Sequence, residues 1–212
     1  SFQQKSPFLT GVLTTGGVAW VKYGLSGEWV EELGSVISLS IGTDATNGPI
    51  IGAVTSSGAA YVKEGNLRNT WVEEAPNARK AIAVASDPVS GPTVVLLSEF
   101  GNVIAKTGSL FGEWVEEFGG IKSIAVASDA TDGPVLGFVT TSGVGWAKQG
   151  NLRNPWVEEF GGITSLEVSA DQVSGPLLGA LTSSGVAYVK QGGLRNQWVE
   201  ESPSVSVVAV GG

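Results

Sequence analysis

The chain has 212 residues, 42% of them apolar and only 15% charged, a balance that specifies a packed domain and excludes disorder. It contains no cysteine and no histidine, which removes thiol nucleophiles, serine–histidine triads and imidazole metal sites together. A net charge of −8 lacks the basic stripe a nucleic-acid partner needs, and no apolar run reaches the roughly 18 residues of a membrane span or forms a secretory segment.

In chain order, the first predicted strand runs from Phe8 to Thr15, and the first unit ends in Trp29-Val-Glu-Glu32. That tetrapeptide returns at Trp71, Trp114, Trp156 and Trp198, at intervals of 42, 43, 42 and 42 residues. Five units of this length fill nearly the whole chain. A period in the forties with several short strands per unit is the mark of a β-propeller. Residues 1–212 are therefore expected to form one all-β, five-bladed ring with no separate domain.

The fourth unit is the clearest. Ile121 to Ser128 alternates as an inner strand, Asp129-Ala-Thr-Asp-Gly133 is a turn, and Val135 to Thr141 and Val144 to Lys148 follow as strands. After a longer loop, Trp156 to Phe160 forms the outer strand, so each blade is four-stranded and antiparallel. Inner strands place small residues on one face (Ser38, Ser40, Gly42) and branched ones on the other (Leu39, Ile41), which lets sheets converge near an axis. The chain opens on a second strand and finishes on an inner one, Val205 to Val210. Pairing of those two segments is expected to complete the first blade and close the ring.

This order of inner strand, short turn, two strands, larger loop and Trp-led outer strand resembles the five-bladed tachylectin-type propellers. Bacterial repeat proteins with a Val-Lys-x-Gly-x-Leu-x-x-x-Trp-Val-x-Glu pattern look closer still. The resemblance covers the whole chain. It implies a lectin that binds N-acetylated amino sugars in clefts between blades, where the outer loop meets the segment leaving the inner strand.

Those two segments are the polar ones here. Asp44, Asp87, Asp129 and Asp171 each stand 27 residues before their blade's Trp. The loops read Asn66-Leu-Arg68-Asn69 before Trp71, Asn151-Leu-Arg153-Asn154 before Trp156, and Gly193-Leu-Arg195-Asn196 before Trp198. Carboxylate, amide and guanidinium beside an aromatic face suit a neutral sugar, whose hydroxyls they bond while the ring stacks its C–H face. The competing reading has Asp shaping the turn and Asn-Arg capping the loop. The first and third units carry Leu25-Ser-Gly-Glu28 and Leu110-Phe-Gly-Glu113 instead, so three good pockets and two altered ones are expected.

The five Trp are expected to pack as wedges between blades with their N–H groups satisfied. Adjacent glutamates on a strand point to opposite faces and cannot share a substrate, so no enzyme is expected. One glutamate per unit is expected to pair within its unit with Lys22, Lys63, Lys106, Lys148 or Lys190 of the neighbouring strand. The turns offer too few oxygens for calcium, and no cofactor or metal is expected. Glu167 replaces Ser40, Ala83, Ala125 and Ala209 of the other inner strands and is expected in a wet channel with a raised pKa. The leading reading is a monomeric, multivalent glycan-binding ring without a nucleic-acid or membrane partner. The alternatives are a consensus-like engineered propeller, or a protein scaffold using an apolar rim at Phe118 and Phe160.

Overall fold

The computed structural model describes residues 8–44, 46–129, 131–171 and 174–210, and among them it contains nineteen strands and no helix. They form five antiparallel sheets in chain order. The first holds β1 (Leu9–Leu13), β2 (Ala19–Tyr23) and β3 (Val30–Leu33). The second holds β4 (Val36–Asp44), β5 (Gly48–Thr55), β6 (Ala60–Glu64) and β7 (Val72–Ala75). The third holds β8 (Arg79–Asp87), β9 (Gly91–Ser98), β10 (Val103–Thr107) and β11 (Val115–Phe118). The fourth holds β12 (Ile121–Asp129), β13 (Gly133–Thr140), β14 (Val144–Gln149) and β15 (Val157–Gly161), and the fifth β16 (Ile163–Asp171), β17 (Gly175–Thr182), β18 (Ala187–Gln191) and β19 (Val199–Ser202). This is the β-propeller architecture in five blades, four of them four-stranded. Trp156 precedes its outer strand instead of opening it.

Inside a blade the local rules are plain. Each turn into the second strand uses a glycine with positive φ (76° at Gly48, 83° at Gly133), a conformation that L side chains resist. A Cβ on Gly48 would also sit 2.9 Å from the carbonyl oxygen of Gly65, so the inner turn and the outer loop abut at the same end of the blade. The small face of an inner strand meets the backbone of the next inner strand. Ser38 and Ser40 hydroxyls accept the N–H groups of Ile82 (3.3 Å) and Val84 (3.0 Å).

The core lies between blades. Ile50, Val54 and Val62 of the second blade pack with Ile82, Val84, Val94 and Leu96 of the third. Clusters of the same kind join the third to the fourth, the fourth to the fifth, and the first to the second. Each of these four seams has a charged clasp. Lys63, Lys106, Lys148 and Lys190 pair with Glu32, Glu74, Glu117 and Glu159 of the preceding blade, all of them buried. Each ammonium also donates to the carbonyl of Leu67, Leu110, Leu152 or Leu194 and stands 4.6–5.0 Å over its own blade's Trp ring. The expected pairing within a unit is thus corrected. In the second and fifth blades the first glutamate instead meets a tyrosine of the neighbouring strand (Tyr61 to Glu73, 3.3 Å; Tyr188 to Glu200, 3.1 Å). Because successive strand residues point to opposite faces, it is the second glutamate that reaches across each of the four seams.

Residues 205–210, expected to pair with β1, lie outside the assigned strands, and the first sheet has three strands.

Candidate functional site

The face of the propeller that carries the inner turns and outer loops is the candidate binding face. In the third blade's turn, Asp87 accepts the backbone N–H groups of Val89 (2.8 Å) and Ser90 (2.6 Å) through one carboxylate oxygen. That is an Asx turn. The backbones of Asp44, Asp129 and Asp171 end their inner strands, but their side chains lie outside the described structure.

The loop asparagines work locally. Asn66 and Asn151 accept the N–H groups of Arg68 and Arg153 (2.9 and 2.8 Å), which folds each loop back on itself. Asn69, Asn154 and Asn196 donate their side-chain amides to the carbonyls of Glu64, Gln149 and Gln191 (2.6, 2.8 and 2.7 Å). The side chains of Arg68, Arg153 and Arg195 are exposed. Trp71, Trp114, Trp156 and Trp198 are half-buried in the seams, whereas Trp29, expected to be a wedge as well, is 42% exposed because no clasped seam covers it. The indole N–H groups of Trp71 and Trp198 donate to the carbonyls of Glu32 (3.1 Å) and Glu159 (3.0 Å) in the preceding blade. Trp156 packs 4.5 Å from Phe138 and 5.6 Å from Phe118. Each loop therefore brings its own Asn and Arg together at the surface and sends its Trp inward.

A cleft of about 420 Å³ opens between the loops of the second and third blades. It is lined by Glu64, Asn69, Thr70 and Val72 on one side and Ser109, Leu110 and Phe111 on the other. Phe111 is 85% exposed and occupies the place of Arg68, Arg153 and Arg195 in the other loops. Val89, 73% exposed, likewise replaces Thr46 and Thr131 on the third blade's turn. The third unit, expected to be altered, contributes the aromatic wall of this cleft. Comparing Phe111 with the arginines reveals the swap in the sequence, but not that the ring stays in water.

The apolar rim expected at Phe118 and Phe160 is not formed. Both rings are half-buried in the seams, Phe118 5.5 Å from Trp146 and Phe160 4.8 Å from Tyr188 and 5.5 Å from Trp198. A second cleft, about 450 Å³, follows the outer edge of the third blade past Asn102, Glu116, Glu117 and Phe118. Two of its lining residues, Glu117 and Phe118, already serve the seam.

Glu167 keeps contact with water, yet the strands around it displace enough solvent to raise its pKa, with no cation opposing the effect. Above that raised value the carboxylate costs stability. Below the unfolded value, about 4.3, both states are protonated and the cost disappears. Stability contributed by this group therefore falls as pH rises through the folded pKa. Glu167→Gln is expected to stabilise the protein at about pH 8 and to leave it unchanged at about pH 4, read by denaturant melts. An equal gain at both pH values would remove the carboxylate from the explanation.

Among the described residues, no three His, Cys, Asp or Glu side chains are grouped as a metal would need. Among the described residues no helix is long and apolar enough to cross a membrane. No family model matches the chain, and no curated protein matches it. Among solved structures the chain is similar to YCF48 bound to D1 peptide, with a TM-score of 0.55 over 93% of this chain and 69% of that one. At 9% identical residues that likeness is one of fold, and the fold is the propeller.

Proposed function

We propose that the chain is a closed five-bladed ring, completed by residues 205–210 in the first blade, that binds glycans multivalently without turning them over. The cleft beside Phe111 carries this reading. It combines an exposed aromatic ring with the Thr70 hydroxyl and with the remaining hydrogen-bonding capacity of Asn69 and Ser109, which also bond the Glu64 carbonyl and the Phe111 N–H, in a volume that takes one or two sugar units. N-acetylated amino sugars, implied by the tachylectin-type resemblance, are the first ligands to try. The Phe111 cleft occurs once, so multivalence rests on the Arg-Asn loops before Trp71, Trp156 and Trp198, whose weak sites would gain by avidity. Lack of turnover is expected because the chain has neither histidine nor cysteine and the two glutamates of each Trp-Val-Glu-Glu stand on opposite faces of a strand.

A glycan array followed by titration calorimetry tests the reading. Phe111→Ala is expected to weaken its site by about fivefold, the worth of roughly 1 kcal/mol of aromatic contact. Arg68→Ala, Arg153→Ala and Arg195→Ala together are expected to abolish agglutination, each removing a charge-assisted bond worth about 1.5–3 kcal/mol. An array with no hit for the parent chain sinks the glycan reading. A peptide-binding scaffold is then the second reading, since the similar YCF48 structure is bound to D1 peptide and Val89 and Phe111 expose apolar side chains on one blade.

A further inference from the structure

Four seams are built to one plan, and the fifth, between the fifth and first blades, has both halves of that plan. On the first blade, Lys22 already donates to the carbonyl of Leu25 and stands 4.6 Å over the Trp29 ring. Its acid is lacking. On the fifth blade, Glu201 occupies the place of Glu32, Glu74, Glu117 and Glu159 but is exposed. The apolar residues of this seam are bare as well. Leu25 is 77% exposed, whereas Leu67, Leu110 and Leu152 are at most 9%. Val12 is 42% exposed, whereas its counterparts Ala53, Leu96, Phe138 and Ala180 are fully buried.

Residues 205–210 already sit against the fifth blade as an inner strand does. The N–H of Val205 donates to the carbonyl of Gly185 (2.8 Å), as Val36, Ile121 and Ile163 donate to Gly17, Gly101 and Gly143. A Cβ on Gly179 would meet Val208 at 3.0 Å and Val210 at 2.8 Å, as one on Gly52 would meet Ile82 and Val84. What is unmade is the ladder from this segment to β1.

We infer that, once residues 205–210 complete the first blade, a fifth clasp, Lys22 with Glu201 over Trp29, locks the seam between the fifth and first blades. The inference rests on the closed-ring reading above. Repeat equivalence fixes the register. Gly11 corresponds to Gly52, which pairs with Ser40, while Ala53 pairs with Leu39 and Ile51 with Ile41. Ala209 therefore faces Gly11, Val208 faces Val12 and Val210 faces Thr10. The fifth seam then buries Leu25, Trp29 and Val12 as the other seams bury their equivalents.

The absence of cysteine makes the test clean. Directly opposed antiparallel residues lie about 4.5–5.5 Å apart at Cα, within disulfide reach. Oxidised Val12→Cys/Val208→Cys protein is expected to be a single cross-linked chain, by mass and non-reducing gel. A disulfide between two chains, or none, overturns ring closure itself. For the clasp, Glu201→Gln and Lys22→Met are each expected to lower the melting temperature as much as Glu159→Gln and Lys190→Met do. The two changes together are expected to lower it no further than either alone. If the intramolecular disulfide forms but these substitutions are silent or simply additive, the clasp is wrong and closure stands.

Discussion

Lys148→Ala is expected to destabilise the ring by about 3–5 kcal/mol, because it leaves the Glu117 carboxylate buried without its ammonium. The two side chains are only 1% and 2% exposed. Burial raises the Glu117 pKa and lowers that of Lys148, and in each case the partner opposes the shift. One oxygen of Glu117 is buried without a hydrogen-bond partner, so removing the lysine strips most of what compensates that charge. For a chain of this size the melting temperature should fall by roughly 6–20 °C in calorimetry. Lowering the pH should narrow the deficit, since the orphaned carboxylate can then take up a proton. Combining Lys148→Met with Glu117→Leu is expected to recover most of the loss, because an apolar pair carries no desolvation penalty. A Lys148→Ala protein that melts like its parent would show that the clasp contributes nothing.

Removal of residues 203–212 is the second large effect expected. The truncated chain loses Val208 and Val210 from the Gly179 surface and the Val205 bond to Gly185. Val208 and Val210 are half-buried as they stand, and if closure buries them fully, at about 1.5–3 kcal/mol each, they set the scale at roughly 3–6 kcal/mol. That corresponds to roughly 6–24 °C in melting temperature. The fifth blade should suffer directly, and the first through its unpaired β1 edge, which would also promote association between chains. An unchanged melting temperature and a monomeric truncated protein would rule out closure by this segment.

The candidate face was legible in part. Asp, Gly and Asn at fixed offsets place the inner turns and outer loops on the same side of the ring, and the abutting Gly48 and Gly65 are found there. The fate of the individual polar groups was less legible. Asn69 and Asp87 look equally suited to a sugar hydroxyl or to their own backbone, and in the structure each holds its own loop or turn. The reason is distance along the chain. The N–H groups two and three residues beyond Asp87, and the Glu64 carbonyl five residues before Asn69, are always within reach, whereas a ligand must supply its own binding energy. Phe111 is not legible as a cleft wall because in the sequence it stands only as a departure from the arginine of the other loops.

Period and local chemistry determined the blade count, the strand order, the positive-φ glycines and the small inner face, since each of these is a property of neighbouring residues repeated five times. Partnership across the seams was decided by tertiary structure alone. Lys148 finds its acid 31 residues back, and Trp71 finds its carbonyl 39 residues back. Such pairs follow from how one blade is rotated against the next, which no strand register encodes. The same rotation turns Phe118 and Phe160 into the seams and leaves Phe111 in water, because the first two end an outer strand beside the next blade and the third tops a loop that nothing covers.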